Sequence, residues 1–230
     1  MLRVPTEPPP TPWVMPDPLR ADPGDDVCAI GADLEPGTLL AAYRNGLFPM
    51  RLGASDDDPL GWWSPVERAV LPLDGLIIRR SLRKVLPRFT VTVDACFAEV
   101  MHWCAAVERD RGWITPDFER AFGTLHEMGW AHSVESWQNG RLVGGLYGVQ
   151  IGGLFAGESM FHLVPDASKA ALVGLVAALG GAQGARKGRL LDIQWATDHL
   201  ISMGAQVVGR QRYVGELLPA ALRLEPAIGD

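Results

Sequence analysis

Residues 144–169 read GGLYGVQIGGLFAGESMFHLVPDASK, and no other stretch restricts the fold of this chain as much. Six glycines stand among apolar residues there, with one acid, Glu158, inside the apolar run. Glycine at this density marks bends, bulges and places where backbone or ligand comes close. A carboxylate in such company is costly to bury unless something holds it. Residues 190–194, LLDIQ, complete the stretch as a short strand. On that strand Asp192 and Gln194 lie two apart and are expected to share a face, with Leu191 and Ile193 turned to packing. If Glu158 faces the same cleft, two carboxylates and an amide meet beside apolar walls. On spacing alone this is equally a reactive centre or a polar network that ties strands together.

The neighbouring pattern supplies the sheet. Segments 133–137 and 142–149 flank Gln138-Asn139-Gly140, a hairpin signal, and a glycine turn at 152–153 leads into a third strand over 154–161. Phe89 to Val93 alternate as a strand, and Asp94 is expected to cap a helix carrying Phe97, Val100, Met101 and Cys104. Thr115-Pro116-Asp117 opens a helix that Gly129 ends, and Asp166 is expected to cap another from Ala167. Residues 180–188 read as a mobile loop, 198–203 as a helix and 206–208 as a last strand. Upstream, residues 1–35 are proline- and acid-rich and read as extended chain over a surface. A short helix spans 38–45, and Trp62-Trp63 fall in a loop, as packing plugs between two lobes or as a stacking platform. The expected class is α+β with a mostly antiparallel sheet.

Totals exclude several classes. With 47% apolar residues over 230, the chain builds a real core. Three cysteines without CxxC spacing suit a reducing interior and neither a disulfide framework nor a zinc site. No charged-then-apolar secretion segment opens the chain and no apolar run reaches membrane-span length, so a cytoplasmic protein is expected. The net charge of −6 argues against a generally basic nucleic-acid coat. Yet Arg79, Arg80, Arg83, Lys84 and Arg88 fall in a stretch with no acid between Asp74 and Asp94. A solvated helix face normally mixes signs; a one-sign island in an acidic protein suits a polyanionic partner.

Familiar catalytic signatures are missing. There is no GxGxxG, no Walker A sequence and no HExxH, and the five histidines show no ligand-like grouping. Ser159 sits in GESMF rather than GxSxG.

Several longer motifs carry a resemblance. WWSPxxRAVLPLD at 62–74, GWITPDFERAF at 112–122, LHEMGWAHSVESW at 125–137, GESMF at 157–161, ASKAAL at 167–172 and LDIQ at 191–194 together resemble the leucyl/phenylalanyl-tRNA–protein transferases. The resemblance implies a small N-terminal domain, residues 1–66, and a GNAT-like acyltransferase domain, residues 67–230, whose mostly antiparallel mixed sheet is flanked by helices. It implies transfer of Leu or Phe, and less of Met, from aminoacyl-tRNA to proteins beginning with Lys or Arg, which marks them for N-end rule degradation. It implies a monomer with no cofactor, metal or membrane. A missing QxxGxG/A pyrophosphate loop argues against the first alternative, an acyl-CoA-dependent GNAT enzyme; the second is a non-catalytic tRNA-binding module.

The resemblance also assigns residues. Asp192 and Gln194 orient the attacking amine and take its proton, and Glu158 holds the aminoacyl group or the amine. Leu146, Phe155, Met160, Leu172, Leu179 and Leu191 form the pocket for Leu or Phe. Tyr43, Met50, Trp113 and Phe122 receive the terminal adenosine, and Arg80, Arg83, Lys84 and Arg88 meet tRNA phosphates. Met50, Phe122 and Pro87 stand where relatives commonly have Trp, Tyr and a basic residue.

Overall fold

The computed structural model describes residues 5–53, 55, 57–106 and 114–228. The arm before residue 27 is extended over the surface, apart from one helical turn at Pro18–Arg20. It is held by Thr6, which bonds Met128 and the Trp130 indole, and by a Glu7–Arg44 ion pair. Then come β1 (Val27–Ile30), α1 (Pro36–Arg44), β2 (Phe48–Arg51) and β3 (Leu60–Trp63). The three strands form an antiparallel sheet in the order β1-β3-β2. Trp62 and Trp63 therefore belong to a strand and not to a loop. Their indoles donate to Gly31 and Met50 carbonyls, which is the packing role of the two considered.

The larger sheet is assembled from β4 (Glu67–Val70), then, after α2 (Arg80–Val85), β5 (Thr90–Val93), and, after α3 (Phe97–Ala106) and α4 (Pro116–Glu127), the meander β6 (Ala131–Gln138), β7 (Arg141–Ile151) and β8 (Leu154–His162). Asn139 and Gly140 both have positive φ, 52° and 74°, as the turn type of an Asn-Gly hairpin requires. Helices α5 (Ala167–Ala178) and α6 (Gly181–Lys187) lead to β9 (Leu190–Gln194). After α7 (Asp198–Ile201) and β10 (Gln206–Gly209), α8 (Arg210–Arg212), a π-helical turn (Tyr213–Leu217) and α9 (Leu218–Leu222) follow in one run. The sheet order is β10-β4-β9-β8-β7-β6-β5, antiparallel except where β8 meets β9. The α+β expectation holds, with a mixed sheet and a small N-terminal region.

Two cores lie on the two faces of this sheet. Tyr147 of β7 faces α1, α3 and α4, while its neighbour Leu146 faces α5, as strand alternation dictates. A Cβ at Gly144 would come within 2.6 Å of the Ala167 Cβ, so glycine is what lets α5 start directly on the sheet.

Three local expectations need correction. Within 180–188 a helix forms over Gly181–Lys187, and glycine at 184 lets it close against the end of α5, since a Cβ there would lie 2.1 Å from the Leu179 carbonyl oxygen. Asp94 caps no helix; at φ 56° its carboxylate accepts from Ser133 N–H and bonds His132. Asp166, also at positive φ, makes no side-chain cap and instead pairs with Lys169 at 2.6 Å.

Candidate active site

The site begins where two strands part. β8 and β9 pair in parallel only from Leu154–Leu190 to Ala156–Asp192. Beyond that point both strands are bulged. On β8, Tyr147 faces Ser159 but Gly148 faces Gly157, which makes Glu158 the extra residue. On β9, Val70 faces Asp192 and Ala69 faces Gln194, which makes Ile193 extra. Bulges re-aim side chains and end pairing. Gly148 sustains the first, since a Cβ there would meet the Ala156 carbonyl oxygen at 2.2 Å.

A cavity of about 430 Å³ fills the gap. Its walls are mostly apolar and include Leu146, Met160, Leu172 and Leu191, four of the six residues assigned to the side-chain pocket. Phe155 and Leu179 lie in the packed core behind it, 0% and 1% exposed. Leu175, Ile193 and Trp195 complete the wall unforeseen. Ile193 was expected to point into packing; the bulge turns it to the cavity.

Glu158 and Gln194 stand at the cavity's polar edge, with Gln194 Nε2 donating to Glu158 Oε1 at 3.0 Å. The same pair lines a smaller hollow of about 160 Å³ beside Phe48, Pro49 and Met50. They and Trp195 thus separate two openings. Burial pushes the Glu158 carboxyl up to about 8, with the Asp192 charge adding to the rise against opposing help from Tyr43, Arg68 and Gln194. Burial, with the Glu158 charge beside it, pushes the Tyr43 hydroxyl well above the usual phenol range.

Asp192 is not on this edge. Gln194 has φ 57°, a left-handed turn that breaks the strand's alternation, so the two side chains do not share a face. Asp192 is fully buried and accepts from Arg68 Nε at 2.8 Å, Arg68 Nη2 at 2.5 Å, Tyr213 hydroxyl at 2.8 Å and Gln194 N–H at 3.0 Å. With both oxygens so occupied, it has no access to an incoming amine. Arg68 lies between the rings of Phe48 and Tyr213, 4.8 and 4.5 Å from their centroids, and donates to the Gly46 carbonyl. Burial alone would lower its pKa, but the Asp192 charge raises it, so the guanidinium stays charged.

Arg68 and Tyr213 were missed in the sequence. An arginine in the apolar run RAVLPL was the available signal; Tyr213 offered none. Trp195, whose indole donates to Asp26 and whose ring meets Phe48 and Trp63 edge-on, was also missed.

The adenosine residues separate. Met50 borders the smaller hollow. Tyr43 and Phe122 are core residues, 2% and 0% exposed, with no ring face free for a base. Phe122 packs edge-on against Tyr147 because α4 presses on the sheet. Trp113 lies outside the described residues. Arg80, Arg83, Lys84 and Arg88 are exposed on α2 and the turn after it, anchored by buried Leu82, and pair with no acid among the described residues.

Comparison with known proteins adds an independent line. A family model described as Leucyl/phenylalanyl-tRNA protein transferase matches residues 70–218, and one for that family's N-terminal domain matches residues 32–66. A leucyl/phenylalanyl-tRNA–protein transferase of Hydrogenovibrio crunogenus is 46% identical over 210 residues, 89% of this chain and 77% of that protein. One of Rhodospirillum rubrum is 51% identical over 190 residues, covering 80% and 86%. Among solved structures, a tandem GNAT protein from the clavulanic acid biosynthesis pathway is 13% identical, with TM-score 0.35, over 79% of this chain and 62% of that one, a likeness too slight to argue from.

Proposed function

This chain belongs to the leucyl/phenylalanyl-tRNA–protein transferase family and is an aminoacyltransferase; from that premise we propose how its site works and on what. The aminoacyl side chain of Leu- or Phe-tRNA, and less readily of Met-tRNA, enters the 430 Å³ cavity, and the α-amino group of a protein beginning with Lys or Arg enters through the smaller hollow. The two meet at Glu158 and Gln194. That shared edge is the observation that carries the reading.

An aminoacyl ester is already activated, so placing an unprotonated amine against its carbonyl supplies much of the rate. The nitrogen attacks, a C–N bond forms and the C–O bond to the ribose breaks. An α-amino group titrates at about 7.7–8.0, and a carboxyl raised to about 8 is matched to it. Glu158 takes the amine proton and returns it to the leaving ribose oxygen. Gln194 orients the Glu158 carboxylate, and Asp192 serves as a buried anchor that fixes the backbone of Gln194. Support for a basic first acceptor residue is electrostatic: the hollow beside Arg51, next to Met50 on β2, is walled by Asp33, Asp57 and Asp58 in addition to the Asp117 that Arg51 itself engages.

We read residues 1–66 as the small N-terminal domain and 67–230 as a GNAT-like catalytic one, with the tRNA acceptor stem on the exposed cations of α2 and the protein working as a cytoplasmic monomer in N-end rule degradation. Labelled Leu-tRNA offered to peptides beginning with Lys, Arg, Asp or Glu tests the reading. Transfer restricted to Lys and Arg is expected; indifference to the first residue refutes the acceptor assignment, and no transfer to any refutes the mechanism.

A further inference from the structure

The cavity wall formed by Met160 and His199 has a second side. A cleft of about 500 Å³ adjoins it there, bounded by His162 at the end of β8, by Asp166, Ser168 and Lys169 at the start of α5, and by His199 of α7. Helix α5 is twelve residues long and begins abruptly after Asp166 at φ 68°. Ala167 N–H donates to Val164 and Ala170 N–H to Asp166, which leaves the Ser168 and Lys169 N–H groups without a backbone acceptor among the described residues. Such groups carry the positive end of the helix dipole.

Ser168 is the second, separate observation. It is only 6% exposed, lines the cleft, and its hydroxyl bonds to nothing among the described residues. The hydroxyl is not sealed in the core but opens on the cleft, where it is free to donate to a bound group. Lys169 Nζ is at the cleft and is paired at 2.6 Å with Asp166, the one acid on the wall among the described residues, so an anion there would share the ammonium with that carboxylate. His199 feels the same surroundings: burial, then Lys169, then His162 hold its pKa below the usual value.

We propose that this cleft binds the phosphodiester on the 5′ side of the donor RNA's terminal nucleoside, with the α5 N–H groups, the Ser168 hydroxyl and the Lys169 ammonium as its donors. This rests on the reading above, in which the ester on that nucleoside reaches into the cavity. One ribose then separates the ester from the phosphate, and the two spaces share Met160 and His199 as their common wall. The α5 terminus acts as an anion seat, and Lys169 adds a charge-assisted bond.

The test uses the full chain and two minimal donors, the 3′-leucyl ester of adenosine and the same ester carrying a 5′-phosphate, with an Arg-starting peptide as acceptor. The wild-type KM is expected to be lower for the phosphorylated donor by about tenfold, the scale of one hydrogen bond to a charged group. That ratio should fall to near parity in Lys169→Met, fall about threefold in Ser168→Ala, and largely survive in Lys169→Arg. If Lys169→Met does not fold, the wild-type ratio and Ser168→Ala decide. A wild-type ratio near one, or a ratio unmoved by either variant, overturns the phosphate site. Transfer from both donors in that case leaves the proposed function standing, whereas no transfer from either donor or from intact Leu-tRNA overturns the function instead.

Discussion

Arg68 and Asp192, 124 positions apart in the chain, face each other side-on with both carboxylate oxygens engaged, at 2.8 and 2.5 Å, and neither side chain is more than 1% exposed. Such a pair contributes little net stability when compared with apolar substitutes, but breaking it strands a charge in the core.

Arg68→Met should therefore destabilise the fold by about 3–5 kcal/mol, and Asp192→Asn by a comparable amount. The double variant should recover part of the loss, because no charge is left alone. Urea unfolding of the two singles and the double measures the coupling. Strict additivity would show that the pair is not the anchor described.

Glu158 gives a pH signature with a definite sign. Its carboxyl is raised from the ordinary 4.5 to about 8, so between those values the native state holds a proton that the unfolded state has released. Stability from this group is complete below about pH 4.5, declines as pH rises, and is lost above about 8. Glu158→Gln should remove that decline, with a larger gain in melting temperature over wild type at pH 8 than at pH 5. Equal gains at both values would contradict the raised pKa.

The same variant should cost about 10²–10⁴-fold in kcat/KM, the usual share of a positioned proton acceptor. Wild-type kcat/KM should climb towards pH 8 and the residual activity of Glu158→Gln should keep only the limb that belongs to the amine. Full activity in that variant would leave Gln194 and positioning alone to account for the rate.

Met160 sits on the cavity wall and is partly exposed, so it can be changed without opening the core. Met160→Phe should shorten the space and penalise Phe-tRNA against Leu-tRNA by roughly tenfold, within the 1–3 kcal/mol that a methylene or two is worth in such pockets. Competition between the two charged tRNAs reads the ratio directly; no change would move the pocket elsewhere.

Arg80 and Lys84 are exposed and unpaired with acids among the described residues. Their double replacement by Ala should weaken tRNA binding and reduce the slope of log K against log salt by about 0.7–0.9 per lost phosphate contact. A retained slope would remove α2 from the RNA interface.

How much of this was legible depends on whether the information was local. The Asn139-Gly140 turn, the α4 start at Thr115-Pro116 and the acid in GESM are local signals, and each led to the right element. The period-two argument for Asp192 and Gln194 failed because the bulge at Ile193 and the positive φ of Gln194 depend on β4, β8 and β9 together. Arg68 was not singled out among its apolar neighbours; only its distant partners Asp192 and Tyr213 explain its burial. The 180–188 segment lost its helix to glycine content, although packing of Gly184 against Leu179 outweighs the weak propensity.

The partners of Asp192 come from residues 68 and 213, on either side of it in the sequence. During synthesis Arg68 emerges first and waits without its anion; Asp192 follows, but the tyrosine that closes the set is translated later still. A ribosome-bound polypeptide that has not yet released Tyr213 thus lacks the hydroxyl that completes the set of donors around Asp192.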